Sequence, residues 1–348
     1  MRRFLTWPRS PLAPQAEGRD SRDRRPMLGR LNRLLRRSAR GASGLRYALF
    51  TLALFAGQLA SAATIYVDNV GGDDLLDGVQ PARTGGSGPV RSLRKALRIC
   101  HAGDRILLAN TGQPYRETIG LSAAEHCGTA LSPFILDGQG AVLDGTEAVP
   151  GDAWENQRGP VFRFRPPHSS YQQLFLDGKP AVERKLLPGQ TRLPELEPLQ
   201  WYRRGADLYF CVEADKLPRS YNLAYSQRQT GITLYHVHDV LIANLVVQGF
   251  RLDGININDG VRNCEVVDVT SRGNGRSGVT VSGSSKARIE GCLIGDNGEE
   301  QLLLESVSST IVENCQLIAN TGPAVTNRGA KLITEDSGTG VRGSGARD

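Results

Sequence analysis

The sequence predicts an all-β fold: a solenoid of stacked parallel coils with an N-terminal capping helix and an inserted β-module. Three observations predict it. Segments beginning at Gly231, Gly254, Gly278 and Gln301 repeat one another, and their first apolar residues, Ile232, Ile255, Val279 and Leu302, are spaced by 23, 24 and 23. Within each segment short runs alternate apolar and polar residues, the period of two of a strand rather than the 3.6 of a helix. Each segment also closes on a turn signal: Gly249, Asn274-Gly275, Asn297-Gly298 and Asn320-Thr321-Gly322. Self-similarity at a fixed period of this size marks a stacked solenoid, in which three runs separated by turns make one coil.

The repeat defines further columns. One runs Ile242, Val261, Ile289, Ile311; another runs Asn244, Asn263, Gly291, Asn314, followed by Leu245, Cys264, Cys292, Cys315. Apolar columns are expected to stack inside, with asparagines bonding from coil to coil at one turn.

The formal charge of the 348 residues is +6, which by itself suggests an anionic partner. Its location undoes that reading. Residues 1–63 carry 13 arginines against 3 acidic residues, a surplus of +10 that leaves −4 for the rest. Composition and motifs therefore give no nucleic-acid partner, and neither a nucleotide-binding glycine loop nor a serine-hydrolase elbow is present. The leader ends in an apolar run from Tyr47 to Ala56 and then Ala60-Ser61-Ala62, which reads as a secretory signal peptide cleaved near Ala62. The run falls short of the roughly 20 apolar residues of a membrane span. Met27 is an alternative start, and Arg36-Arg37 a weak hint of twin-arginine export. The expectation is an exported chain, periplasmic or extracellular, with no stable membrane span after cleavage and an undetermined oligomeric state.

Export permits disulfides, yet six cysteines are too few to build a scaffold from them. Cys264, Cys292 and Cys315 read as small buried hydrophobes. Cys100 and Cys127 flank the first rung and could form a bridge.

From 64 to 150 the chain reads as an entry region. "SGPVRSLRKALRICHAGD" gives a helix starting after Gly88-Pro89, with Val90, Leu93, Ala96, Leu97 and Ile99 or Cys100 on its apolar face and Gly103 past its end. It can cover the open end of the solenoid, whose strand edges need protection. "RILLAN", "RETIGL" and "PFILDGQGAVLDGT" follow as strands with Asp-Gly turns. From 151 to 230 the period disappears, and "VFRFRP", "QQLFLDGKPAV" and "ADLYFCVEAD" read as strands of an inserted module. That module carries +3, leaving −7 on the solenoid parts. Regular rungs fill 231–327, and the Gly-rich, polar stretch 328–348 reads as a disordered tail.

The opening "TIYVDNVGGDDLLDG…SGPVRSLRKALRICHAGDRILLANTGQPYRETI", the rungs, and the middle "QLFLDGKPAVERKLLPG…WYRRGADLYFCV" together resemble the right-handed parallel β-helix (pectin-lyase-like) superfamily, in its exported carbohydrate-active type. The resemblance covers about residues 64–327. It implies a polysaccharide partner lying in a groove beside the first strand of each rung. Members include polysaccharide lyases, glycoside hydrolases, epimerases and proteins without known activity, so the fold does not choose among reactions.

Alternation places Thr233, Tyr235, Asn256, Asn258, Thr280, Ser282, Leu303 and Glu305 on the outer, groove-facing side. Tyr235, Asn256, Asn258, Thr280 and Ser282, with Trp201 and Tyr202 from the module, are the candidate sugar-binding residues. The candidate catalytic residues are Asp253, Arg276, Glu300 and Glu305. Hydrolysis needs two carboxyls about 5–5.5 Å or about 6.5–9.5 Å apart, which Asp253 with Glu299 or Glu300, or Asp259 with Glu305, could supply. The tight Asp-Asp motif of pectin hydrolases is missing from the later rungs; Asp73-Asp74 lies in the entry loop, where a turn or calcium role fits. A lyase would use Arg276, Lys286 or Arg288 as base, with Ca²⁺ held by Asp253, Glu300 and Glu305 as the one cofactor to consider. His236 and His238 straddle a turn on opposite strand faces, a poor joint metal site. The reading is an exported protein that binds a polysaccharide along its groove as a lyase or hydrolase; the alternative is a non-catalytic glycan-binding, cell-envelope or adhesion protein of the same fold.

Overall fold

The structure, a computed structural model, describes residues 62–186 and 194–335 and the backbone of 341–342. The basic stretch and the apolar run expected to form a signal peptide, and most of the stretch after 335, lie outside the described residues. Three sheets made wholly of parallel strands form the solenoid. An eight-stranded sheet stacks Thr64–Val67, Arg105–Leu108, Phe134–Asp137, His238–Ala243, Arg262–Val267, Lys286–Glu290, Ser309–Glu313 and Lys331–Glu335. A six-stranded sheet stacks Ile119–Ser122, Ile232–Tyr235, Ile255–Ile257, Ser277–Val281, Glu300–Glu305 and Val325–Arg328. The third begins at Val142–Asp144 and continues through Val246–Gln248, Thr270–Arg272, Leu293–Gly295, Gln316–Ile318 and Val341–Arg342.

Apolar residues at alternate positions make the core. In the six-stranded sheet Ile119, Ile232, Ile255, Val279 and Leu302 pair in register, each 0–2% exposed. Burying such a side chain is worth about 1.5–3 kcal/mol, and every rung repeats it in all three sheets.

Two of the expected columns are corrected. Ile242 pairs with Val266, not Val261, and the column continues through Ile289 to Val312, not Ile311. The turn residues that follow are Asn244, Asp268, Gly291 and Asn314, at φ 52°, 52°, 64° and 49°. A left-handed residue is needed there, and aspartate meets that need as asparagine and glycine do. Asn263 is left-handed too, at φ 51°, but it pairs with Asp239 (φ 53°) at the start of its strand, through its side-chain amide. Cys264 accordingly lies beside Val240 and Ala287, and the column after the turn is Leu245, Val269, Cys292, Cys315. All six cysteines are free and buried, Cys100 and Cys127 among them.

The coil-to-coil amide ladder sits at the closing Asn-Gly turn. Asn274 and Asn297 are fully buried, the amide of Asn274 donates to Asn297 Oδ1 at 2.9 Å, and Asn297 donates to Gln301 Oε1 at 2.9 Å. Buried amides are held only when so satisfied.

The helix spans Leu93–Ile99 and buries Leu93 and Ala96. It starts later than the sequence suggests because Val90 still bridges to Val67. Asp74 fixes the start by accepting from Arg91 N, Ser92 N and Ser92 Oγ, so the Asp73-Asp74 loop serves as a turn. Ser92 Oγ and the Glu117 carboxylate then cap the first backbone amides, the latter accepting from Leu93 and Arg94 at 2.9 and 3.0 Å.

Between Val142–Asp144 and Ile232–Tyr235 the chain leaves the coil and builds a four-stranded antiparallel sheet and a five-stranded mixed sheet, in which only Val182–Glu183 pairs parallel, around Phe164, Leu174, Trp201, Leu208, Phe210 and Leu223. The stretch read as a disordered tail from 328 instead adds Lys331–Glu335 in register with Ser309–Glu313.

Candidate active groove

The outer face of the six-stranded sheet carries most of the expected polar rows. In register lie Thr233, Asn256, Thr280, Leu303 and Thr326, and beyond them Glu305 beside Arg328. Ser282 Oγ bonds Asn258 Oδ1 at 3.3 Å, and Tyr235, 48% exposed, sets its ring edge-on to His236. Asn256, Asn258 and Ser282 are half-buried; Thr280 is sealed at 1% and bonds Ser277 Oγ at 2.7 Å. Leu303 is also 1% exposed: Arg328, on the neighbouring strand, reaches both Glu300 (3.1 Å) and Glu305 (2.9 Å), so it crosses the strand between them.

Asp253 and Arg276 prove to be a structural pair. Asp253 is fully buried and bonds Arg276 through both carboxylate oxygens, with Ser277 Oγ and Asn256 Nδ2 as further donors at 2.9 Å. Four donors occupy the carboxylate and none of it is exposed, so no face is left for a substrate, which corrects its assignment as a catalytic acid or base. The hydrogen bond from Arg276 to Asp253 raises the guanidinium's affinity for its proton further, so Arg276 is no base either. Lys286 and Arg288 belong to the eight-stranded sheet, where Arg288 bonds Glu290 and Glu313, away from this row. The proposed Ca²⁺ ligands Asp253, Glu300 and Glu305 point into arginines, and among the described residues no three His, Cys, Asp or Glu side chains converge as a metal site. His238 Nδ1 contacts Asp239 at 2.9 Å, and Asp259 accepts from Ser284 N and Oγ.

Trp201 is corrected as well. It is fully buried in the module's core with Nε1 donating to Ala181 O at 3.2 Å, and Tyr202, 4% exposed, stacks on Tyr209.

Glu300 keeps its candidacy. It is 8% exposed, and burial pushes its carboxyl above the ordinary range, with Arg328 pulling down and Glu299 pushing up. The module adds groups that sequence reasoning missed. Gly273, at φ 62°, leaves space that Phe175 and Pro180 occupy: a Cβ there would lie 2.6 and 2.7 Å from them. A Cβ at Gly275 would lie 2.8 Å from that of Tyr171. The module thus sits directly on the turns leading into the groove strands. Lys185 Nζ donates to Gly298 O, and Arg251 bonds Ser170 Oγ at 2.7 Å. Beside Lys185, Glu183 is half-buried, and burial pushes its carboxyl up to about 7 against the pull of Lys185 and Arg203 and with the push of Glu299. Arg328 was legible: it follows Glu305 by 23 residues, the rung spacing. Glu183 left no such signal, because nothing in a sequence says where an insertion folds back.

Comparison with known proteins agrees with this architecture. Residues 220–341 match the family described as right handed beta helix region. A solved glycoside hydrolase superposes with a TM-score of 0.56 at 12% identity, covering 78% of this chain and 76% of its own. Weaker superpositions are the XylC complex with xylose (TM-score 0.41, 12% identity, 78% and 70% covered) and pectate lyase Pel9A (0.40, 13%, 79% and 62%). No curated protein matches the chain. No helix among the described residues is long and apolar enough to cross a membrane.

Proposed function

Because the chain is a right-handed parallel β-helix protein with ionisable side chains gathered along one sheet face, we propose that it is an exported enzyme that binds a polysaccharide in that groove and hydrolyses a glycosidic bond. The observation that carries the reading is Glu300. Its buried carboxyl, pushed upward and held against Arg328 between Glu299 and Glu305, has the environment of a group tuned for proton transfer. Tyr235, Asn258 and Ser282 supply the aromatic face and the hydroxyl and amide partners that sugars require. Hydrolysis is favoured over elimination because the nearest candidate base, Arg276, is committed to Asp253, whereas carboxyls are abundant. The same fold serves a glycoside hydrolase in the superposition above.

The test is product analysis after incubating the protein with neutral and uronate glycans, with and without EDTA. New reducing ends from wild type, lost in Glu300→Gln and unaffected by EDTA, are expected. An unsaturated uronate signal would replace hydrolysis by lyase chemistry. Glycan binding with no cleavage of any glycan would leave a non-catalytic binder.

A further inference from the structure

Building on the hydrolytic reading, we infer that Arg328 is a positioning residue that yokes Glu300 to Glu305, and that these two carboxyls together are the pair that works on the glycosidic bond.

Both glutamates stand on one strand, Glu300–Glu305, and both reach the same planar fork from the next rung. Arg328 Nη2 donates to Glu300 Oε1 at 3.1 Å, and Nη1 donates to Glu305 Oε1 at 2.9 Å. Two oxygens bound to one guanidinium at these lengths lie no farther apart than about 8 Å, short of the limit of about 9.5 Å for carboxyls that share a glycosidic bond. The backbone beneath them is pinned: the N–H groups of Glu299 and Glu300 both donate to Arg276 O, at 2.9 and 3.0 Å.

Each carboxyl spends only one oxygen on the arginine. Among the described residues Oε2 of Glu300 and Oε2 of Glu305 take no hydrogen bond, so both stay free for a ligand. Asp253 is the contrast, since donors occupy both of its oxygens. In the reaction the pair gives a proton to the glycosidic oxygen as its bond to C1 breaks, and takes one from the water that bonds to C1. One water is consumed and both carboxyls are restored. Arg328 touches neither reacting atom; it fixes the distance between the two groups. A lysine could supply the charge there but not the fork. Around Glu300, burial acts most strongly and raises the carboxyl; Arg328 and Arg276 pull it down, while Glu299 and Glu305 push it up.

The experiment compares the full chain as wild type, Arg328→Lys, Arg328→Met and Glu305→Gln on a glycan that wild type cleaves. Glu305→Gln should lose about 10²–10⁴-fold in kcat. Arg328→Met should lose about 10²-fold in kcat with KM little changed, and its pH optimum should move upward by about one unit. Arg328→Lys should return the optimum to its wild-type position yet leave kcat at least about tenfold down, because the charge is restored and the spacing is not. Without substrate, ¹³C at glutamate Cδ reads the clasp. The Glu300 resonance, identified by its loss in Glu300→Gln, should titrate at higher pH in Arg328→Met than in wild type. Thermal melts show which variants are folded, and Arg328→Lys decides the clasp if Arg328→Met is not. If the Glu300 resonance is unmoved in folded Arg328→Met, or if Arg328→Lys cleaves as wild type does, the positioning role is overturned while hydrolysis stands. If Glu305→Gln cleaves as wild type does, the pairing is overturned and hydrolysis again stands. If wild type cleaves no glycan although the resonance moves as expected, hydrolysis fails and the pair fails with it.

Discussion

Arg276 grips both carboxylate oxygens of Asp253 from the next rung, and the carboxylate it grips is sealed from water. Removing one partner of such a pair leaves an uncompensated buried charge, which typically costs about 3–5 kcal/mol. Arg276→Met is therefore expected to lose stability of that order in a urea melt. Asp253→Asn should lose less, because the amide keeps an acceptor for Ser277. Equal, negligible losses would show that the pair is not sealed.

The amide ladder makes a second prediction. Asn297 Oδ1 accepts from both the backbone and side-chain N–H of Asn274. Asn297→Ala strands two buried donors at roughly 1–3 kcal/mol each. Denaturant unfolding checks this, and a loss under 1 kcal/mol would contradict it.

Stability should fall with rising pH in a defined window. A carboxyl raised by folding binds its proton more tightly folded than unfolded, so its contribution is complete below the unfolded value and lost as pH climbs through the folded one. For Glu183 the window runs from the ordinary glutamate value of 4.5 to about 7, with a slope of up to about 1.4 kcal/mol per pH unit. Asp74, Asp207, Asp239 and Asp259, held below their ordinary 3.8, act in the opposite sense at more acid pH and do not overlap. Glu183→Gln should flatten the decline between pH 5 and 7 in urea melts; an unchanged slope would assign it to another group.

The thiols should be inert in the native state. Burial pushes Cys100 and Cys264 up to about 12, and reactivity follows the thiolate. A thiol reagent at pH 8 should label none of the six cysteines until the protein is unfolded, and all six thereafter. Rapid native labelling of Cys100 or Cys264 would contradict their burial.

The repeat was legible because each rung must match its neighbours, so Ile232, Ile255, Val279 and Leu302 announce their own pairing. Register in the eight-stranded sheet was less so. The left-handed turn accepts aspartate as well as asparagine, and Asn263-Cys264 imitates the pattern five residues before Asp268-Val269 supplies it. The outer face of the groove was readable as alternation, but alternation does not reveal burial. Asp253, a catalytic candidate from the sequence, is sealed, because Arg276 from the next rung bonds both its carboxylate oxygens. Trp201 offered an aromatic face and was instead the core of its own module. Glu183 was beyond reach for a related reason: its position depends on Lys185 meeting Gly298, a contact between segments 113 residues apart.

Hydrogen exchange tests most directly whether the six-stranded sheet is the working surface. Glu300→Gln would be saturated with an oligosaccharide of the glycan that wild type cleaves or binds. Protection is expected at 254–258, 278–282 and 300–305, with the eight-stranded sheet unchanged. Protection confined to 263–267 and 286–290 would move the ligand to the other face and contradict the groove assignment.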